Sequence, residues 1–279
     1  MLARPGGPAD PPSVARRGRA GPARRDDDGG VTTPEQPDLP DLPTDDVERV
    51  LVLAAHPDDP EYGVGAAVAR WTSEGRDVRY VLATHGEAGI AGLDPAESRE
   101  LRAREQQASC AVVGVTSLQL LDHPDGVLVE GPALRRDLAA AVRRHRPHLV
   151  VTLNHRETWG PGPGGAWNTA DHRALGRCVL DAVADAGNAW VHRDLLAAGL
   201  EPWQGVRRTA VAGSPAATHQ VDVTAHLATA VASLREHRRY LEALSDRPVE
   251  EQARAVVALT TGAGEDLSGR GAVRFEVFG

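Results

Sequence analysis

A histidine and two adjacent aspartates, His56, Asp58 and Asp59, follow at once on the apolar run LVLAA in the stretch LVLAAHPDDPEYGVGA. Side chains of these types ligate metals and move protons. Pro57 restricts His56 to extended backbone, and Gly63 and Gly65 let the chain fold closely after the turn. Adjacent carboxylates on a tight turn diverge, so one can face a metal with His56 while the other faces the substrate side. Two like charges this close are costly without a cation beside them, which makes a divalent metal the economical reading. A catalytic zinc site takes three protein ligands and leaves a position for water, so one further ligand is needed. The chain carries 11 histidines, and spacing alone does not choose among His85, His123, His155, His172 and His219. His172 stands out because NTADH follows a Gly/Pro-rich loop and opens a helix, from which a side chain reaches back over the edge of a sheet.

The elements that must hold these residues read as repeated βαβ units. Short apolar runs at 49–55, 78–86, 117–123, 147–154, 207–213 and 219–224 alternate with helical segments at 65–73, 97–113, 132–144 and 171–185, and one long helix is expected over 225–244. Continuous apolar strands separated by helices predict an α/β, Rossmann-like layered fold with a mainly parallel sheet flanked by helices. In such a sheet, ligands bind outside the carboxyl ends of the strands. Those ends read AHPDD, THGEAG, LDHPDG and LNHRETWG, and every one delivers His, Asp, Glu or Asn to the same crevice. Trp159 and Trp167 flank the Gly/Pro-rich loop WGPGPGGAW.

Composition narrows the function. Hydrophobic residues make up 41% and charged ones 25% of the 279 residues, enough apolar material for one sizeable core. A net charge of −8 without a basic patch in the body gives nucleic acid or an anionic membrane little to bind, and no stretch is apolar enough to span a bilayer. Cys110 and Cys178 lie far apart in helical segments, which favours buried thiols in a reducing cytoplasm. All 31 basic residues are arginine, a mark of codon usage. Residues 1–47 are Pro, Gly, Arg and Asp with few large apolar side chains, and read as a disordered N-terminal tail ahead of a 48–279 domain. ARRGRA at 15–20 lacks the apolar segment that an export signal requires. There is no Gly-rich dinucleotide fingerprint, phosphate loop or Gly-x-Ser-x-Gly elbow.

Taken in order, AHPDD at 55–59, THGEAG at 84–89, RARE at 102–105 ahead of VVGV, HPDG at 123–126, ADH at 170–172 and VDVT at 221–224 form a set. It resembles the PIG-L/LmbE family of zinc-dependent N-acetylglucosaminyl deacetylases over roughly residues 49–244. The resemblance implies that His56, Asp59 and His172 bind Zn²⁺, with Fe²⁺ as another divalent metal suited to two histidines and a carboxylate. It implies that Asp58 is the general base for a metal-bound water attacking the N-acetyl amide, and that Arg102 and Asp125 contact sugar or cyclitol hydroxyls. The implied partner is a small-molecule amino-sugar conjugate in the cytoplasm, with a homo-oligomer left open. One position departs from the family pattern: Thr169 stands where a histidine stabilises the oxyanion and protonates the leaving amine. Threonine cannot be a proton-donating cation near neutral pH, so Asp58 would return its proton, or His219 or His155 would reach in. Asp171 is expected to cap a helix or support a ligand histidine. Thr169 also leaves room for an amidase acting on another amide, such as a thiol conjugate, or for a carbohydrate-binding relative impaired in catalysis.

Overall fold

The computed structural model describes residues 39–160 and 165–279. In chain order the first elements are β1 (Arg49–Ala54), α1 (Asp59–Gly63), α2 (Gly65–Ser73), β2 (Asp77–Leu82), α3 (Pro95–Val112) and β3 (Ser117–Leu120). They are followed by α4 (Pro132–His145), β4 (Leu149–Leu153), α5 (Ala170–Gly187), α6 (Arg193–Ala197), β5 (Arg208–Ala212) and β6 (His219–Asp222). A 3₁₀ turn at Thr224–His226 then leads to α7 (Leu227–Leu234), α8 (Arg238–Leu244), α9 (Val249–Thr261) and β7 (Ala272–Phe278).

The strands form one sheet in the order β3-β2-β1-β4-β5-β7-β6. The first five in the chain pair in parallel, and β7 lies antiparallel between β5 and β6. Alternation along each strand divides the core into two layers. Val50, Val52, Val78, Tyr80 and Val151 join Val68 and Trp71 of α2, Cys110 of α3 and Leu234 of α7 on one face. Leu51, Leu53, Val81 and Val150 join Leu134 and Leu138 of α4 and Leu175 and Cys178 of α5 on the other. Both faces are covered, which is why these strands are apolar without alternation. The chain winds outward from β1 through β2 to β3, then restarts on the far side of β1 with β4 and β5. The carboxyl ends of β1 and β4 therefore flank the switch point, where an open α/β sheet leaves a crevice.

Three expectations need adjustment. Of the tail read over 1–47, residues 1–38 lie outside the described residues, but residues 39–47 pack onto the domain. Leu42 and Val47 are buried, and the backbone around Asp41 pairs with Gln220 on β6; two apolar side chains and a sheet edge suffice to anchor a segment that composition alone classes as tail. The helix expected over 225–244 is split between α7 and α8, because the chain turns at residues 235–237 to bury His237 completely. The strand read over 78–86 ends at Leu82, where pairing with β3 stops. The final stretch, ambiguous from sequence, supplies α9 and β7.

Trp71 ties the two ends of the domain together, stacking on Phe275 of β7 with ring centroids 6.1 Å apart. Trp71→Ala is expected to cost about 3–5 kcal/mol in urea unfolding, whereas Leu259→Ala at an exposed position should stay within about 0.5 kcal/mol.

Candidate active site

β1 ends one residue before the turn that carries the chemistry, and Pro60 in the first turn of α1 sets the helix going without losing a useful N–H. Between them Asp58 stands at φ 89°, the left-handed region that residues with a Cβ seldom occupy. Asp58 is the N-cap of α1, yet its carboxylate makes no capping bond. Its Oδ1 instead accepts from Arg102 Nη2 at 2.7 Å, and the same guanidinium bonds the carbonyls of Pro57 and Gly86. Arg102 comes from α3, is almost fully buried, and lies under the Tyr240 ring at 4.0 Å.

Asp59 turns the other way. Its Oδ2 accepts the backbone N–H groups of Ala55 at 3.0 Å and His56 at 2.8 Å, and its Oδ1 lies 3.0 Å from His172 Nε2. His172 sits in the first turn of α5, where Thr169 is the N-cap and accepts the His172 backbone N–H at 3.2 Å. The other ring nitrogen of His172 faces the buried Asn168 Oδ1 at 3.1 Å. His56 is held in the same manner: Nδ1 faces Asp59 at 3.5 Å, while Nε2 lies 3.0 Å from both Asp125 and Asp171. Asp171 also accepts from the N–H groups of Gly126 and Leu128, and Asp125 from that of Ala88.

The protonation states follow from these partners. Burial is the largest influence on Asp58 and pushes its carboxyl up to about 6, against the pull of Arg102 and with help from the neighbouring Asp59. Burial also opposes the Asp59 charge, but His172 and His56 overcome it and hold that carboxyl well below the usual carboxylate range. Two neighbouring aspartates thus differ in proton affinity, because histidines stabilise the charge of Asp59 while burial disfavours that of Asp58.

His56, Asp59 and His172 each offer one donor atom within 4.8 Å of the others, and so could hold a metal ion. The donor set suits a divalent cation such as zinc: two imidazoles and one carboxylate, with each histidine's remaining nitrogen turned to an oxygen that fixes its tautomer. His56, Asp125 and Asp171 form an overlapping group that shares the same histidine.

Of the residues singled out in the sequence, the fold brings His56, Asp58, Asp59, Arg102, Asp125, Asp171 and His172 together. Arg102 is committed to Asp58, and Asp171 supports His56. Thr169 stands beside the cluster as an exposed helix cap. His219 begins β6, level with the end of β5 but two strands away, and bonds the Thr218 hydroxyl at 2.9 Å. His155 lies against Phe278 with ring centroids 6.0 Å apart. The edge of the Trp159 ring meets His172 at 5.7 Å, and Trp167 lies against the Arg173 guanidinium. Asn168, Glu87 and Gln106 were not singled out, although Asn168 stands one residue before the Thr169 cap and Glu87 lies inside THGEAG. Glu87 accepts the Asp125 N–H at 3.0 Å and so sets the position of that aspartate. Nothing in the sequence marks Gln106.

Comparisons with known proteins bear on the family and the fold. Residues 51–183 match the family profile PIG-L: GlcNAc-PI de-N-acetylase. A diacetylchitobiose deacetylase from Thermococcus kodakarensis is 32% identical over 163 residues, 57% of this chain and 58% of the relative. A 1D-myo-inositol 2-acetamido-2-deoxy-alpha-D-glucopyranoside deacetylase from Kineococcus radiotolerans is also 32% identical, over 57% of this chain and 50% of the relative. The chain thus spans between half and three-fifths of the length of these two curated relatives. Among solved structures, the N,N'-diacetylchitobiose deacetylase of Pyrococcus horikoshii superposes with a TM-score of 0.73 over 85% of each chain at 24% identity, a likeness of fold. A conserved protein from Thermus thermophilus gives 0.63 at 26% identity, over 82% of this chain and 93% of that one. Over residues 51–183, a little under half of its length, the chain is therefore similar to the PIG-L family.

Proposed function

We propose that the protein is a zinc-dependent N-deacetylase that removes the acetyl group from an N-acetylglucosamine-type glycoconjugate. The observation that carries this reading is the division between the two aspartates: Asp59 faces His56 and His172, while the Asp58 carboxylate is braced by Arg102. Zinc held by His56, Asp59 and His172 would lower the pKa of a water molecule and polarise an amide carbonyl. Asp58 takes the proton from the attacking water, and its carboxyl, placed at about 6 by burial, is matched to accepting a proton near neutral pH and giving it back to the leaving amine. One residue in both roles answers the departure at Thr169, whose hydroxyl serves α5 as a cap. Arg102 keeps the Asp58 carboxylate aimed, Asp171 keeps His56 aimed, and Asp125 offers a carboxylate beside the cluster to substrate hydroxyls. The names of the Thermococcus and Kineococcus relatives, both deacetylases of N-acetylated amino sugars, support the substrate class.

Cytoplasmic residence is part of the proposal. Its support is that Cys110 and Cys178 are both buried free thiols and that, among the described residues, no helix is long and apolar enough to cross a membrane.

Two measurements test the proposal. Acetate release from N-acetylglucosaminyl substrates should vanish on removal of metal with a chelator and return on addition of Zn²⁺; release that survives exhaustive chelation would rule out the metal. Asp58→Asn should lower kcat by about 10²–10⁴-fold with bound zinc unchanged, while His219→Ala should behave as wild type. Full activity in the Asp58→Asn protein would remove Asp58 from the reaction.

A further inference from the structure

We propose that Gln106 is a positioning residue for Asp58, fixed in one orientation by a buried pair formed by Glu61 and His237. The inference rests on the reading of Asp58 as general base. The Asp58 backbone, at φ 89°, needs something outside the turn to hold it. Its N–H donates to Gln106 Oε1 at 2.9 Å. At its other end the same amide donates from Nε2 to Glu61 Oε1 at 3.1 Å and Oε2 at 3.3 Å. Glu61 Oε2 in turn lies 3.2 Å from His237 Nε2.

The chemistry of these groups allows one arrangement. A backbone N–H only donates and a carboxylate only accepts, so Gln106 must turn its oxygen to Asp58 and its NH₂ to Glu61. Flipping the amide would set donor against donor and acceptor against acceptor. Gln106 and His237 are completely buried and Glu61 is 3% exposed, so no solvent stands ready to repair a broken link. A buried carboxylate and imidazole are costly to keep, and neither belongs to the groups that could hold a metal. His237 holds Glu61, Glu61 accepts from Gln106, and Gln106 reaches the turn.

The three residues come from three elements. Glu61 is on α1, Gln106 on α3, and His237 is the N-cap of α8. That same helix places Tyr240 over Arg102, so α3 and α8 together brace Asp58 twice, its backbone through Gln106 and its carboxylate through Arg102. The break between α7 and α8 is what allows His237 to turn inward.

The test uses the full-length, zinc-loaded protein and three variants, Gln106→Leu, Glu61→Leu and Glu61→Gln. Acetate release, zinc content and hydrogen exchange of the Asp58 amide by NMR are measured on each. Gln106→Leu and Glu61→Leu should lower kcat by about 30-fold or more with KM within about twofold and zinc content unchanged. In both, the Asp58 amide should exchange about 100-fold faster than in the wild type. Glu61→Gln still accepts from Gln106 and should keep kcat within about threefold of wild type. A folded Gln106→Leu protein with wild-type kcat and an equally protected Asp58 amide would overturn the proposal. So would a Glu61→Gln protein as damaged as Glu61→Leu, since that assigns the effect to charge. The wild-type measurement decides even if a variant fails to fold: an Asp58 amide exchanging as freely as an open loop refutes the link. Should the wild type release no acetate, the hydrolytic reading falls, and Asp58 amide protection in Gln106→Leu against wild type still judges the role of Gln106.

Discussion

The site depends on one backbone conformation, the left-handed Asp58 between β1 and α1. Two carboxylates on neighbouring residues repel, and on a short turn they would crowd one another in either charge state. The unusual φ at Asp58 separates them without lengthening the chain. Asp59 curls back to cap the end of β1 through the Ala55 and His56 N–H groups, and Asp58 points toward α3. Strain of this kind costs about 1–3 kcal/mol and persists only when the surroundings over-determine it. Here the surroundings are the Arg102 guanidinium and the start of α1, both locked in the core.

Much of this was legible in the sequence, for a physical reason. A strand buried on both faces must be apolar to its end, so the first polar residues after it mark the edge of the sheet, and AHPDD is such a transition. The parallel order of the sheet, the cluster of polar strand ends and the placement of His172 at a helix start all follow from local pattern. The two aspartates, identical in type, differ in environment only after α3 and α5 have docked.

What the sequence did not reveal depends on distant contacts. Gln106 lies mid-helix among other polar residues, and its partners Asp58 and Glu61 come from the turn and short helix after β1. The segment EHRRY offers no Gly or Pro to signal a break, yet the chain bends there because His237 is drawn inward to Glu61. Residues 39–47 look like tail by composition, and only the register of β6 gives their backbone something to pair with. In each case local propensity was overruled by a hydrogen-bond partner more than 40 residues away.

The placement of β7 between β5 and β6 joins segments distant in the chain at the far edge of the sheet. Among the described residues, β6 joins the sheet through β7, which begins 50 residues later, from Asp222 to Ala272. The backbone of residues 40–42 docks on Gln220 of β6. The earliest and latest described segments therefore meet at the far edge of the sheet, whereas the half that carries the chemistry is built from successive parallel units.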